Sequence, residues 1–311
     1  MLVSAIRTKS GLLPNVSPSI IVELLAMLTM SNDTLDAASP RFLNEQILHE
    51  SVSGSIYKVY DTHLRKTAAV KKFNTDLSSI ARHEYEIYTA IGEHPNVAQA
   101  YDLFYDDINQ QACLVMEFCD DGSLVDRLTV APTGFGREEF LHYSRQLAAA
   151  VMHMHSKGVA HRDIKGDNVC MMSSGRTLKL LDLGESQVAE LPVEILQCGT
   201  ITYLAPEIVS ATHTARSRVN IYNWHFDLYK SDVWALGITM YSMSTSRLPF
   251  QFAHETDIGY LHYLRRDTFG DWDTWCSIDG DIQELLLNMC DPDPNIRWSM
   301  EQVVHYLSAL S

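Results

Sequence analysis

Between residues 42 and 117 apolar residues come in short alternating runs, whereas from residue 122 onward they recur every three or four positions. Ile56-Tyr57-Lys58-Val59-Tyr60 and residues 68–73 therefore predict half-buried strands, and residues 112–118 a further apolar strand. Residues 79–91 carry helical spacing, and Glu93-His94-Pro95-Asn96 ends that helix at a proline. The same period predicts later helices over residues 138–155, 232–245, 282–290 and 300–310. A small β-rich part followed by a larger helical part implies an α+β fold of two lobes with a cleft between them. No internal repeat or low-complexity tract interrupts this pattern.

Residues 1–44 read as an extension, leaving 45–309 as the main domain, with lobes at 45–117 and 118–309. Ser17-Pro18-Ser19 offers an N-cap and a first-turn proline, after which Ile20, Leu24, Leu25 and Leu28 share one helical face. This predicts a short apolar helix, either packed on the main domain or serving as a docking or targeting segment. Its longest apolar run, residues 20–30, contains Glu23 and falls short of the ~18 residues of a membrane span. Arg7 and Lys9 precede that run, as in a secretory signal, but no small-x-small cleavage site follows.

Composition narrows the partners. A formal charge of −15 and a pI near 5.2 disfavour a nucleic-acid surface and leave a mild preference for basic peptides. The six cysteines form no CxxC pair, and several sit in apolar strings as small hydrophobes. The expected setting is reducing, cytoplasmic or otherwise intracellular. The thirteen histidines show no HExxH spacing.

The chemistry concentrates in His161-Arg162-Asp163-Ile164-Lys165-Gly166-Asp167-Asn168, followed fourteen residues after Asn168 by Asp182-Leu183-Gly184. Each run supplies a hard-oxygen ligand suited to Mg²⁺, and the first adds an acid/base carboxylate and a lysine. The pair resembles the catalytic and metal-binding loops of eukaryotic-type protein kinases. The resemblance implies that Asp163 orients a substrate hydroxyl and accepts its proton, while Asn168 and Asp182 hold Mg²⁺. Lys165, and Thr200 in Cys198-Gly199-Thr200, resemble the serine/threonine class, where the lysine meets the γ-phosphate of ATP. Gly184 is expected to let the backbone turn sharply.

Ala68-Ala69-Val70-Lys71-Lys72-Phe73 resembles the strand that carries the family's phosphate-binding lysine. Alternation lets only one of the two lysines face the cleft, and the motif selects Lys71, with Lys72 on a solvated face. Glu84 is the implied ion-pair partner, with Glu86 as the alternative. The phosphate-covering loop departs from the family: Gly-x-Gly-x-x-Gly-x-Val aligns with residues 52–59, where only Gly54 remains among the glycines. Weakened ATP affinity is the expected consequence. Leu114-Val115-Met116-Glu117-Phe118-Cys119 resembles the hinge. Met116 would back the adenine pocket, the backbones of Glu117 and Cys119 would anchor adenine, Val59 and Ala69 would roof it, and Cys170 would form its floor. Ser123 or Asp126 would reach the ribose, or else simply start a helix.

Ala205-Pro206-Glu207, Arg297 and Asp232-Val233-Trp234-Ala235-Leu236-Gly237 extend the resemblance across roughly residues 45–309. His161 is expected as a packed residue. In this family the arginine before the catalytic aspartate often pairs with a phosphorylated loop residue, and that place here is Leu196. Glu190 and Glu194 are permanent anions that could satisfy Arg162 instead, which implies activity without loop phosphorylation. The 24 residues between Glu207 and Asp232 exceed the family's usual number, so an insert at about 210–226 is a candidate substrate- or partner-binding element. The implied function is Mg²⁺-dependent transfer of the ATP γ-phosphate to Ser or Thr of protein substrates. The alternative is a nucleotide-binding pseudokinase acting as a scaffold.

Overall fold

The computed structural model describes residues 40–51, 54–74, 77–172, 174–189, 199–215, 226–266 and 272–311. Residues 42–311 form one compact unit. The helix expected near residues 20–30 lies outside the described residues, as do Val52, Glu190, Glu194, Leu196, Cys198 and positions 216–225 of the insert.

Five strands build one antiparallel sheet: β1 (Phe42–Ser51), β2 (Gly54–Asp61), β3 (Lys66–Phe73), β4 (Ala100–Asp106) and β5 (Gln111–Glu117), in the order β1-β2-β3-β5-β4. Its two faces bury different residues, as the pleat requires. On one face Val59, Ala68, Val70, Cys113 and Val115 form a small core closed by Phe42, Tyr57, Tyr101 and Phe104. On the other face Phe73, Ala112 and Leu114 meet helix α1 (Ser78–Ile91) through Ala81, Ile87, Tyr88 and Ile91. The buried residues of α1 recur at helical spacing, and Gly92 follows in the left-handed region with φ 69°.

The remaining elements are mainly helical. Short α2 (Leu124–Thr129) precedes α3 (Arg137–Ser156), which buries Phe140, Ser144, Leu147, Val151 and Met154 as one stripe. Strands β6 (Val159–Ala160), β7 (Val169–Met172), β8 (Thr177–Leu180) and β9 (Gln187–Val188) pair as β6-β9 and β7-β8. They pin the two ends of the segment that carries the predicted chemistry. Helix α4 (Pro206–Ala215) runs into the first part of the insert, so residues 210–215 continue a helix. Helix α5 (Leu228–Thr245) is apolar nearly all round and buried along most of its length, which makes it the central post of this lobe. Around it stand α6 (Ile258–Arg265), α7 (Trp272–Ser277), α8 (Gly280–Met289) and α9 (Met300–Ala309). Periodicity located the long helices to within a few residues. The short α2 and α7 and the edge strand β4 carry too few apolar repeats to be read that way.

Arg297 is fully buried and makes a bidentate pair with Glu207, Nη1 to Oε1 at 2.8 Å and Nη2 to Oε2 at 2.9 Å. Its Nε donates to the Asp291 carbonyl, and its guanidinium lies 5.1 Å from the Trp234 ring centroid. The pair therefore ties α4 to the loop before α9 across the side of α5. Arg297→Met leaves the Glu207 carboxylate without its cation and is expected to cost about 3–5 kcal/mol, measured by urea denaturation. Adding Glu207→Gln should cost less than the sum of the single changes, because the two side chains act as one unit.

Candidate active site

The site is built around a buried carboxylate on α5. Asp232 is 1% exposed, and its Oδ2 accepts from the backbone N–H of His161 at 2.7 Å and from His155 Nε2 at 2.8 Å. Its Oδ1 accepts from the backbone N–H of Arg162 at 2.8 Å. Burial alone would raise the carboxyl, but the His155 hydrogen bond and the converging N–H groups hold it below its ordinary value. The reach matters because Arg162 adopts φ 71°, a left-handed conformation that a non-glycine residue keeps only when its surroundings enforce it. His161 is fully buried, donating from Nε2 to the Leu181 carbonyl at 3.0 Å and accepting at Nδ1 from the Asp163 N–H at 3.2 Å. These two contacts fix its tautomer.

That loop presents Asp163, which is 8% exposed. Its Oδ2 accepts from Lys165 Nζ at 2.7 Å and from Asn168 Nδ2 at 2.9 Å. Its Oδ1 accepts from the N–H and the hydroxyl of Thr200, both at 2.9 Å. Lys165 also donates to Thr200 Oγ1 at 2.7 Å. The second Asn168 amide proton goes to the Asp163 carbonyl at 2.8 Å, so the amide oxygen faces the other way. Asp163, Lys165, Asn168 and Thr200 are thus one hydrogen-bonded cluster.

A second cluster crosses between the lobes. Lys71 Nζ lies 2.8 Å from Glu84 Oε2 and 3.0 Å from Asp182 Oδ1. Burial would lower the lysine, but the two carboxylates outweigh it and raise it above its ordinary value. Glu84 is fully buried, and burial pushes its carboxyl upward against the opposing Lys71 charge. Asp182 behaves oppositely: burial raises it, but the lysine ammonium wins and holds it below the usual range. Glu86 is exposed on the outer side of α1. Lys72 points to the opposite sheet face, yet it is not free in solvent: it pairs with Glu45 at 2.6 Å and lies over the Tyr57 ring.

The strand register corrects the expected nucleobase roof. The four-residue turn at 62–65 pairs Val59 with Ala68 and Ile56 with Lys71. Directly opposed residues share a face, so Val59 lies with Ala68 and Val70 in the small core, away from Lys71. Ile56 and Lys58 take the cleft face, alongside Ala69 and, opposite it on β5, Met116. Lys58 Nζ stands 4.6 Å from the ring centroid of Phe118 in the hinge. The parity set by the turn length was the available signal. Gly54 opens β2 at φ 149°, and a Cβ there would sit 2.2 Å from the Lys72 carbonyl oxygen. A second correction concerns Gly184: the left-handed turn falls on Asp182, at φ 58°. Gly184 instead allows close approach, since a Cβ there would meet Glu84 Oε2 at 3.3 Å and Asp182 Oδ1 at 3.4 Å.

Below the sheet, the segment after the hinge and β7 run together through the Ser123–Cys170 bridge. Glu117 turns its carboxylate to Lys179 at 2.9 Å. Ser123 caps α2 in a reciprocal box with Asp126, its Oγ 2.7 Å from Asp126 Oδ2. Arg162 Nη1 donates to Gln187 Oε1 at 2.6 Å, a neutral partner that charge-based reading of the sequence passed over. His155 was likewise missed as a ligand of Asp232, since helix-surface and buried histidines look alike in sequence.

The description protein kinase domain matches residues 43–307 of this chain. Testis-specific serine/threonine-protein kinase 3 of Homo sapiens is 33% identical over 217 residues, covering 68% of this chain and 72% of the relative. Cell cycle serine/threonine-protein kinase CDC5/MSD2 of Saccharomyces cerevisiae is 30% identical over 226 residues, 72% of this chain and 29% of the relative. Serine/threonine-protein kinase PLK4 of Danio rerio is 28% identical over 226 residues, 72% of this chain but 22% of the relative. The chain thus spans less than a third of the length of several curated relatives it matches.

Asp232→Asn removes the charge that three donors share and is expected to cost about 3 kcal/mol. Because the folded carboxyl titrates below its ordinary value, its contribution is full above about pH 5 and is lost as pH falls through the folded value. Urea midpoints of wild type and variant should therefore stay apart from about pH 5 to 8 and converge in acid.

Proposed function

This chain belongs to the eukaryotic-type serine/threonine protein kinase family, and on that footing we propose that it transfers the γ-phosphate of ATP to serine or threonine hydroxyls of protein substrates. The observation that carries the reading is the joint assembly of two clusters, Lys71 on Glu84 and Asp182, and Asp163 on Lys165, Asn168 and Thr200.

Phosphoryl transfer of this kind asks for positioning and charge neutralisation more than for covalent chemistry. Lys71, aimed by Glu84, holds the non-transferred phosphates. Asp163 orients the acceptor hydroxyl and takes its proton. Lys165, 2.7 Å from Asp163, meets the negative charge of the group in flight. The donor set fits magnesium: the Asp182 side chain is 47% exposed, and the Asn168 amide oxygen is turned away from Asp163. Held by those two residues, the ion supplies neutralisation of phosphate charge. Ala69, Met116, Ile56 and the hinge backbone at Glu117 and Cys119 form the nucleobase slot, with Cys170 beneath.

We further read the activity as independent of activation-segment phosphorylation. In support, Arg162 already has a partner in Gln187, and the Lys71–Glu84 pair is closed in the unmodified chain.

Transfer of labelled γ-phosphate to a generic Ser/Thr protein tests the enzyme. Asp163→Ala and Lys71→Met should each lower the rate at least ~100-fold. Lys72→Ala, which loses a peripheral ion pair and a contact with the Tyr57 ring, should stay within about threefold of wild type. Equal signal from wild type and the first two variants would overturn the enzyme in favour of the scaffold. For the regulatory reading, mass spectrometry of fully active protein should find residues 182–207 unphosphorylated. Stoichiometric phosphate there defeats it.

A further inference from the structure

Helix α1 carries Glu84 to Lys71, yet it is held unevenly along its length. Ile87, Tyr88 and Ile91, which seat it against the sheet, all follow Glu84, and before it only Ala81 of the helix is buried. Ser78, Ser79 and Ile80 are exposed. No side chain caps the helix at Leu77, and its first turn has no acidic residue to meet the helix dipole. A helix start with so little burial and no cap is the part most ready to open locally. His83, exposed and next to Glu84, reaches out of this stretch: its Nε2 lies 2.8 Å from the Ser186 carbonyl oxygen. A carbonyl can only accept, so Nε2 carries the proton.

Ser186 is a fixed point for that bond. It is 1% exposed, and each of its polar groups is engaged. Its N–H donates to the Leu183 carbonyl at 3.1 Å and its hydroxyl to the His161 carbonyl at 3.2 Å, leaving its own carbonyl for His83. The next residue, Gln187, opens β9, stands opposite Ala160 of β6 and accepts from Arg162. The short stretch after Asp182-Leu183-Gly184 therefore holds the catalytic loop on one side and α1 on the other. We propose that His83 is a positioning residue: it latches the first half of α1 to Ser186 and so keeps Glu84 closed on Lys71 for the transfer step. The latch stands on the geometry alone, whereas its effect on rate rests on the transfer reading above.

The consequence for rate runs through Glu84. Its carboxylate is fully buried and is tolerable there only while Lys71 faces it. The fit is close as well, since a Cβ at Gly184 would stand 3.3 Å from Glu84 Oε2. A first half of α1 that opens carries Glu84 off the lysine, and Lys71 loses its aim. Misplacement on that scale is felt in the transfer step more than in binding. An imidazole N–H on a backbone oxygen needs no modification of either partner, unlike a clasp built on a phosphate.

The test uses the full chain and compares His83→Leu, which removes the donor, with His83→Gln, whose side-chain amide can donate in its place. Leu and Gln are both better helix formers than His, so any loosening reports the lost bond and not helix propensity. Amide hydrogen exchange over residues 78–84, read by mass spectrometry, should be at least ~fivefold faster in His83→Leu and return toward wild type in His83→Gln. In transfer of labelled γ-phosphate, His83→Leu should lower kcat about five- to tenfold, the worth of one hydrogen bond, with KM for ATP within about twofold. His83→Gln should bring kcat back to within about twofold of wild type. Added to Glu84→Gln, His83→Leu should cost less than about twofold more, because it acts through Glu84. Wild-type exchange rates in His83→Leu overturn the latch, and a His83→Gln variant no better than His83→Leu overturns the hydrogen bond as its cause. Faster exchange with unchanged kcat overturns the positioning role, as does a full further loss in the Glu84→Gln background. Wild type that transfers no phosphate sinks the transfer reading and the rate effect with it, while hydrogen exchange still decides the latch. Should His83→Leu fail to fold, His83→Ala is read in its place.

Discussion

The Asp232 carboxylate is the constraint from which the catalytic loop takes its shape. A single oxygen pair receives the N–H groups of His161 and Arg162 and the imidazole of His155. A left-handed arginine is unfavourable by itself, and a buried anion is worse. Each makes the other tolerable, because the strained backbone is what turns two consecutive N–H groups toward one acceptor. The acceptor sits on α5, the most deeply buried helix described, so the loop inherits the stiffness of the core. Asp163 and Asn168 then need only short-range hydrogen bonds to reach register.

Lys71 divides two carboxylates into different occupations. Glu84 is fully enclosed, and one of its oxygens has no hydrogen-bond partner among the described residues. Asp182 keeps nearly half of its side chain open. Similar groups beside one cation therefore titrate in opposite directions, Glu84 upward and Asp182 downward. Environments that push such groups apart commonly separate their roles. Here the enclosed one fixes the lysine and the open one stays available to a ligand.

Much of this was legible from residue order, and the failures are instructive. Lys71 over Lys72 and Glu84 over Glu86 came from the resemblance to the family's motifs, alternation requiring only that one of the two lysines face the cleft. The placement of Val59 failed because a motif alignment assumes a hairpin of standard length, while the pleat answers to the actual turn. Gln187 and His155 were invisible for another reason. Their partners lie 25 and 77 residues away, joined only when β9 and α5 pack against the loop. The glycines divide similarly. Gly54 is required by the close pass of β2 over β3, a contact that no spacing rule contains.

A carboxylate has about four lone-pair sites, and all four on Asp163 are already engaged, by Lys165, Asn168, and the amide and hydroxyl of Thr200. No vacancy awaits an incoming hydroxyl. Under the proposed transfer, an acceptor would reach this oxygen by exchange, and the Thr200 hydroxyl is the resident group of matching chemistry. On that reading the threonine is a placeholder: it keeps the carboxylate paired, and it surrenders its seat only to something that offers the same bond.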